Sequence, residues 1–179
     1  MDKTRLLNLN LRSANPLDID IITDLIAQSL KNQHSYPKNL MQTQSVQRYL
    51  FGLKTSAIRD GTYYLAEMDG QAVGCAGWSR RHLDYGEDHL RLLDPFKEAA
   101  HLCAIYVHPI WLRRNIGTRL IEVCERAAEE SGFRTVELAT PPEFVSWFRS
   151  HGYRQIREEQ VRLNSSLRLP LTRMAKLMV

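Results

Sequence analysis

Residues 104–120 read AIYVHPIWLRRNIGTRL, and this stretch carries the clearest signal for the fold. Its β-branched and aromatic side chains predict a strand over residues 101–108, which ends where Pro109 removes a backbone donor. From Ile116 onwards the apolar residues change to helical spacing and predict a helix that stops near Gly132. Those apolar positions are Ile116, Leu120, Val123 and Ala127. The segment is therefore predicted to form a strand, a short loop and a helix.

The loop between this strand and this helix has the chemistry of a phosphate-binding site. It contains Arg113, Arg114, Asn115 and Gly117. Backbone amides at a helix start have no partner inside the helix, and the helix dipole favours an anion there. A glycine at this point lets a ligand approach the backbone closely. One glycine is a weak phosphate signal, so the residues alone leave open an ordinary strand–helix junction with solvated arginines.

The N-terminal half contains signals for a strand, two helices and a hairpin. Asn15 and Pro16 are typical of a helix start, with Asp18 in the first turn. Asp69 and Gly70 form a two-residue turn between runs rich in strand-forming residues. The predicted elements are a strand at 7–13, helices at 16–33 and 43–57, and hairpin strands at 62–68 and 71–81.

The C-terminal half is predicted to complete one sheet flanked by helices. Residues 82–98 are polar and irregular, and a loop of this length is often functional. Thr140 and Glu143 have the spacing of a capping box that opens a short helix, which Gly152 ends. The remaining predicted elements are strands at 134–139, 153–163 and 169–179, the last two joined by a turn at 164–166. This order predicts a mixed α/β (α+β) fold.

Length and composition favour one globular domain over residues 1–179. The chain is 44% hydrophobic and 25% charged, and no apolar run reaches the roughly 20 residues that a membrane helix needs. Residues 1–11 contain alternating Leu and Asn, so we expect a strand there and not a signal peptide. Cys75, Cys103 and Cys124 form no CxxC pair, which argues against a zinc ribbon or a disulfide framework. We therefore expect a cytoplasmic protein with no metal site and no membrane partner.

The charge balance is mildly basic, with a net charge of +4 and a pI of about 9.1. The Lys and Arg residues are dispersed along the chain, whereas nucleic-acid binding favours clusters of them. An anionic small ligand suits this balance equally well. We expect no nucleic-acid partner.

The strand–loop–helix segment resembles motif A of the Gcn5-related N-acetyltransferases (GNAT), whose usual form is Val-x-Pro-x-x-(Arg or Gln)-x-x-Gly-x-(Gly or Ala). Val107, Pro109 and Gly117 match this pattern. Leu112 stands where Arg or Gln is usual, and Asn115 stands where the first Gly is usual. Asn tolerates left-handed backbone geometry better than most residues, so we still expect the loop to form.

A second segment, WFRSHGY at residues 147–153, resembles the family's Phe-Tyr-x-x-x-Gly-Phe signature. The Asp-Gly hairpin before motif A and the two closing strands also fall in the family's order. The resemblance spans about residues 7–179, and residues 99–153 carry its specific motifs. It implies a single N-acetyltransferase domain with a mixed, mainly antiparallel six- to seven-stranded sheet flanked by helices.

The resemblance also implies an acetyl-CoA site, where the sheet splays between the strands at 101–108 and 134–139. The pantetheine arm would pair with the backbone of Ile105, Tyr106 and Val107, and Phe148 would form part of its wall. The pyrophosphate would be held by the backbone amides of Arg113, Arg114, Asn115, Ile116, Gly117 and Thr118.

His101 is the candidate general base. An alkyl amine with a pKa near ~10.4 is mostly protonated at neutral pH, so a base or a water relay helps its attack on a thioester. His101 lies six residues before Val107, where Gcn5-like members carry a catalytic glutamate, and imidazole titrates in the useful range. A half-buried strand histidine with no chemical role is the alternative. Lesser candidates for the base are Glu67, Asp84, Glu87 and Asp88.

The family's usual proton donor is absent, because Phe148 stands where a tyrosine often protonates the departing thiolate. A thiol with a pKa near ~8.5 leaves fairly well as the anion. Tyr106 or a water is an alternative donor. We do not expect Cys103 to act as a nucleophile with His101, because direct transfer needs no covalent step.

The resemblance thus implies an acetyl-CoA-dependent N-acetyltransferase that acts on a primary amine of a small molecule or peptide. The alternative is a non-catalytic acyl-CoA-binding or regulatory domain with the same fold, which the missing tyrosine favours. A nucleic-acid-associated protein is a third reading, which the lack of a basic tract disfavours. Dimers are frequent among relatives, so we also expect that this chain can form a homodimer.

Overall fold

The computed structural model describes residues 8–31, 52–84, 87–162 and 168–178. The strands in these residues are Leu9–Ser13 (β1), Tyr63–Met68 (β2), Gln71–Ser79 (β3), Arg81–Asp84 (β4), Glu87–Leu92 (β5), Ala100–Val107 (β6), Thr135–Thr140 (β7), Arg154–Arg162 (β8) and Arg168–Leu177 (β9). The α-helices are Ile19–Leu30 (α1), Thr55–Arg59 (α2), Ile116–Glu130 (α3) and Val145–Ser150 (α4). Short 3₁₀ helices occupy Pro16–Asp18, Pro109–Trp111 and Pro142–Phe144.

Seven of the strands form one sheet in the order β1-β2-β3-β6-β7-β9-β8. Neighbouring strands are antiparallel except β6 and β7, which are parallel. α1 packs on one face of the sheet and α3 on the other. The predicted mixed, mainly antiparallel sheet flanked by helices is confirmed. None of the helices in the described ranges is long and apolar enough to span a membrane.

The core is divided by the sheet into two apolar clusters. On the α3 face the largest buried side chains include Trp78, Ile116 and Leu120. On the α1 face Ile22 and Tyr63 are fully buried. Burial of apolar surface is the dominant stabilising term in folding, so these two clusters hold both helices against the sheet.

The start of the first helical segment follows the sequence prediction. The Asn15 side chain accepts from the Leu17 amide at 2.9 Å, and the Asn15 amide donates to the Asp18 carboxylate at 2.8 Å. α1 then runs to Leu30, and the predicted continuation over residues 32–33 lies outside the described residues.

The predicted helix over residues 43–57 is wrong at residues 52–54. Gly52 lies in a bend and Lys54 has an extended backbone, so the described helical part is α2 alone. Glycine is the residue most easily accommodated at such a break, because it lacks a Cβ. Residues 43–51 lie outside the described residues.

The β2–β3 hairpin is confirmed at its turn. Asp69 and Gly70 both have positive φ, at 50° and 79°, as a type I′ turn requires. Met68 pairs with Gln71 across it.

The irregular loop predicted over residues 82–98 is wrong in its first part. β4 and β5 pair with each other as an antiparallel hairpin, with Asp84 opposite Glu87. Because this hairpin is separate from the main sheet, its strands lack the apolar alternation that marks a strand with one face in a core. The polar composition therefore concealed it.

The capping box predicted for Thr140 and Glu143 is also wrong. Thr140 is the last residue of β7, and its hydroxyl donates to the Pro141 carbonyl at 3.4 Å. The cap of the 3₁₀ turn is Pro141, which has no amide hydrogen for the reciprocal bond of a capping box. The predicted turn at 164–166 and the strand ends at 163 and 179 lie outside the described residues.

Candidate active site

β6 and β7 separate soon after they meet. Their parallel pairing covers only Ala100 with Val136 and His101 with Glu137. β6 then continues to Val107 and β7 to Thr140. Two strands that start together and diverge leave a wedge between them, and this is the splay that the family resemblance implied.

The wedge holds a cleft with a volume of about 620 Å³. Its floor is β6 and β7, its mouth is the loop before α3, and the end of α1 contributes Ser29 and Leu30. Nine of the predicted cofactor-binding residues line it: Ile105, Tyr106, Val107, Arg113, Asn115, Ile116, Gly117, Thr118 and Phe148. The remaining one, Arg114, does not line it, because its guanidinium lies 4.7 Å from the Trp111 ring centre, over the indole.

A β-bulge in β6 sets which side chains face each side of the cleft. Ala104 pairs with Gly77 and Leu102 with Trp78, so Cys103 is the extra residue. Cys103 and Ala104 consequently both belong to the α1 face, and the alternation of β6 resumes shifted by one. A Cβ on Gly77 would lie 2.5 Å from the Tyr63 ring and 3.2 Å from Cys103 Sγ, so this strand glycine was the available sequence signal for the bulge.

The loop at the mouth turns through two left-handed residues. Arg113 has φ of 60° and Asn115 has φ of 57°. Asn115 is the cap of α3, and its carbonyl accepts the first helical bond from the Arg119 amide at 3.1 Å. The amides of Ile116, Gly117 and Thr118 precede that bond and so have no partner within the helix. Asn115 thus adopts the geometry that the family's usual glycine would supply.

Gly117 also lies close against the side chains of the second motif. A Cβ added to it would lie 3.2 Å from Trp147 Cζ2 and 3.8 Å from Val107 Cγ2. Trp147 in turn stacks edge-to-face on Phe148 at 4.9 Å, and Phe148 is 8% exposed. The second sequence motif therefore packs directly against the first.

His101 lies on β6 but does not line the cleft. Burial is the main cause that lowers the pKa of its imidazole, and with the positive charge of Arg173 and the nearby His82 the pKa falls to about 4. The negative charge of Glu98 raises the pKa of His101, but its effect is weaker. His101 is therefore neutral at pH 7 and can accept a proton, but its conjugate acid is strong.

Of the other candidate bases, Glu67 is the one whose side chain is described. Glu67 is held by Arg12, with its Oε1 2.8 Å from an Arg12 nitrogen, and it does not line the cleft. The side chains of Asp84, Glu87 and Asp88 lie outside the described part of the chain. Cys103 and Tyr106 line the cleft, and burial raises the pKa of the Tyr106 hydroxyl, so that the phenol keeps its proton.

One part of the site was missed by the sequence reasoning. His151 joins α4 to α3: its Nε2 lies 3.0 Å from Thr118 Oγ1, and its Nδ1 lies 2.8 Å from the Trp147 carbonyl. A histidine at a variable position of the second motif carries no signal by itself. Its partner Thr118 lies 33 positions earlier in the chain, so only the fold reveals the pairing.

Comparison with known proteins agrees with this geometry. Residues 27–153 match the Acetyltransferase (GNAT) family. No curated protein matches the chain.

Among solved structures, a GCN5-related N-acetyltransferase from Rhodopseudomonas palustris has a TM-score of 0.70 at 20% identity, over 94% of this chain and 95% of its own. PaiA N-acetyltransferase from Thermoplasma acidophilum, in complex with coenzyme A, has a TM-score of 0.68 at 14% identity, over 96% and 99%. YncA from Salmonella typhimurium, a putative acetyltransferase with its cofactor acetyl-CoA, has a TM-score of 0.65 at 17% identity, over 96% and 95%. The structural likeness supports the fold, and the family match over most of the sequence decides the assignment: the chain belongs to the GNAT acetyltransferase family.

Proposed function

We propose that this protein is an acetyl-CoA-dependent N-acetyltransferase that acts on a primary amine of a small molecule or a peptide. The observation that carries the proposal is the cleft itself, which combines an exposed strand edge, a helix start and an apolar wall. Acetyl-CoA supplies an acetyl group activated as a thioester. The residues of the chain bind this donor, orient it and manage the protons of the reaction.

The start of α3 is proposed to hold the pyrophosphate. The amides of Ile116, Gly117 and Thr118 point out of the first helical turn, where the dipole favours negative charge. Arg113 lines the same end of the cleft and adds a cation. Leu112 also lines the cleft and is 52% exposed, so it removes a side-chain contact usual in the family and leaves the amides in place.

The β7-facing edge of β6 is proposed to hold the pantetheine arm. Ile105, Tyr106 and Val107 pair on their other edge with Ala76, Cys75 and Gly74 of β3. Beyond His101 the described register with β7 ends, so the amide groups of this edge face the cleft. An extended amide-bearing chain can form hydrogen bonds along such an edge, as a neighbouring strand would.

In the proposed reaction the amine nitrogen bonds to the acetyl carbon, the carbon–sulfur bond breaks, and the amine proton leaves to a base. His101 is the proposed base and would act through a water, because it does not line the cleft. A conjugate acid with a pKa of about 4 makes it a weak base, so the amine must arrive largely deprotonated. The thiolate leaves as the anion or takes a proton from solvent, because the raised pKa of Tyr106 makes its phenol a poor proton donor.

The acceptor is proposed to enter on the α1 side of the cleft. Ser29 and Leu30 of α1 line the cleft there, and Phe144 also lines it. The described part of this side is mainly apolar and gives no charged group that would select an acceptor. A cytoplasmic location is part of the proposal, since Cys75, Cys103 and Cys124 are all outside disulfides, as in reducing compartments. A single domain over residues 1–179 and a homodimer remain predictions.

One observation favours the non-catalytic alternative. Phe148 is 8% exposed and packs on Trp147 and Tyr153, so no hydroxyl occupies the family's usual donor position. His101 does not line the cleft, so neither the proton donor nor the base of the reaction has a well-placed side chain. A domain that binds acyl-CoA without turnover would need neither.

A thiol-release assay separates the two functions. Purified protein is incubated with acetyl-CoA and a panel of alkyl amines, polyamines and peptides with free α- or ε-amines. Amine-dependent release of CoA supports the enzyme, whereas saturable acetyl-CoA binding with no release on any amine supports the alternative. The variant Phe148→Tyr is the matched probe, because it restores the donor within the same packing.

A further inference from the structure

His151 is built into the mouth of the cleft by three contacts. Its Nε2 lies 3.0 Å from Thr118 Oγ1, its Nδ1 lies 2.8 Å from the Trp147 carbonyl, and its ring centre lies 4.5 Å from that of Trp147. Ser150 Oγ donates to the same carbonyl at 2.7 Å and lies 3.3 Å from Nδ1. Thr118 and Trp147 both line the cleft, whereas His151 reaches it only through them.

These contacts determine where the hydrogens lie. A carbonyl oxygen can only accept, so Nδ1 of His151 carries the hydrogen that it donates to Trp147. In the neutral ring Nε2 is then an acceptor, and the Thr118 hydroxyl donates to it. Thr118 therefore directs its hydrogen away from the cleft and offers only lone pairs of its hydroxyl to a ligand.

We propose that His151 is a positioning residue that converts Thr118 into a hydrogen-bond donor for the phosphates of the cofactor; this inference rests on the proposed function. When Nε2 gains a proton, the bond reverses: Nε2 donates to Thr118 Oγ1, and the hydroxyl hydrogen turns into the cleft. The change adds one positive charge and one donor beside the first turn of α3. An anion bound there and a proton on His151 then favour each other reciprocally.

The surroundings leave His151 as the group suited to this role. Charged groups on the packed elements include the Arg119–Glu122 pair of α3 at 3.3 Å, Arg149 of α4 bonded to Gln155 at 3.0 Å, and the Lys176–Glu125 pair at 2.7 Å, which joins β9 to α3. Arg113, in the loop before α3, also lines this end of the cleft. Lys176 also reaches the loop after α4, where its Cε lies 3.5 Å from the position of a Cβ on Gly152. Of the ionisable groups named here, His151 is the one whose ring contacts the Thr118 hydroxyl.

The test is the proton uptake that accompanies CoA binding. Calorimetric titrations with CoA at pH 6, 7 and 8, each in two buffers of different ionisation enthalpy, give the affinity and the protons bound. The wild-type protein should bind CoA roughly tenfold more tightly at pH 6 than at pH 8. His151→Gln, which keeps an amide donor but cannot gain a charge, should lose most of this dependence. CoA carries a phosphate monoester that itself titrates near ~6, so its binding depends on pH even without His151. The readout is therefore the difference between the wild-type protein and His151→Gln.

Further variants keep the proposal testable if His151→Gln does not fold. Thr118→Val should lose the extra dependence on pH, and Thr118→Ser should retain it, because serine keeps the hydroxyl. His82→Gln on β4 is the control histidine and should behave as the wild type. Equal proton uptake in the wild type, His151→Gln and Thr118→Val would overturn the proposal while CoA binding persists. Absence of CoA binding to the wild type would instead overturn the proposed function and this inference with it.

Discussion

The Cβ position on Gly117 lies 3.2 Å from Cζ2 of Trp147, so the first turn of α3 and the helix α4 are in tight contact. This contact joins the two sequence motifs, which lie 30 positions apart in the chain. The mouth of the cleft therefore depends on the indole as much as on the loop. A contact this tight requires the neighbour to move by a few tenths of an ångström if a methyl group is added.

We predict that Gly117→Ala weakens acetyl-CoA binding by several-fold and changes the free energy of unfolding by less than ~1 kcal/mol. The new methyl displaces Trp147, while alanine gains helix propensity of up to about 1 kcal/mol. The double variant Gly117→Ala with Trp147→Phe should recover affinity, because phenylalanine is smaller. Calorimetry and urea denaturation measure the two quantities, and an unchanged affinity in Gly117→Ala would contradict the account.

Asn115 allows a second prediction, because its φ of 57° is disfavoured for most side chains. Asn115→Gly should be neutral or slightly stabilising, whereas Asn115→Val should destabilise by about 1–2 kcal/mol and lower CoA affinity. Glu129→Val, on the exposed C-terminal turn of α3, is the control for valine in a helix and should lose only ~0.5 kcal/mol. If the two valine variants unfold at the same urea concentration, the left-handed geometry carries no strain.

His101 predicts a specific dependence of stability on pH. Its pKa is lowered from the ordinary 6.5 to about 4 in the folded protein, so the unfolded chain binds more protons between these values. The contribution of His101 to the free energy of unfolding is therefore fully present above pH 6.5. It is lost as the pH drops towards 4, by up to about 3 kcal/mol. His101→Gln should flatten this part of the profile. Urea denaturation at pH 7 and pH 4.5 measures the difference, and parallel profiles in both proteins would contradict the burial of His101.

The variant His101→Gln also tests whether His101 acts as the general base. His101→Gln should lower turnover and leave acetyl-CoA affinity nearly intact, because His101 does not line the cleft. Steady-state rates and titrations on the same preparation separate the two effects. Unchanged turnover at every pH would remove His101 as the base.

The buried pair between Lys176 and Glu125 gives a prediction about stability alone. Lys176 Nζ lies 2.7 Å from Glu125 Oε2, and the side chains are 26% and 9% exposed. Lys176→Met leaves a carboxylate buried without its cation and should cost about 2 kcal/mol, less than a fully buried pair because the lysine is partly solvated. Adding Glu125→Leu should recover most of this loss. Lys97→Met, in a pair that is 81% exposed on the lysine side, should cost under ~0.5 kcal/mol.

The elements that the sequence predicted well are those with a local cause. The Asp69–Gly70 turn, the capping at Asn15 and the apolar spacing of α3 depend on neighbouring residues, and the structure reproduces each of them. The splay between β6 and β7 came from the family resemblance and not from any local pattern. Its position after His101 and Glu137 is fixed by the register between strands.

The features that were missed depend on contacts between distant residues. The bulge at Cys103 follows from the ring of Tyr63 filling the space beside Gly77, and the role of His151 follows from Thr118 in another helix. The β4–β5 hairpin has no alternation of apolar residues that would indicate strands in the sequence. The failed capping box at Thr140 is different, since two adjacent prolines were visible in the sequence and should have excluded it.

Titration of the purified protein with acetyl-CoA, with ATP as a phosphate-bearing control, tests the central claim most directly. The account predicts saturable binding of acetyl-CoA to one site per chain, with weak or no binding of ATP, because the cleft offers a strand edge to the pantetheine arm in addition to a phosphate site. Absence of acetyl-CoA binding would mean that Leu112 and Asn115 mark a loop that no longer recognises the cofactor. Equal binding of ATP would mean that the strand edge does not hold the pantetheine arm. Either result would contradict the account.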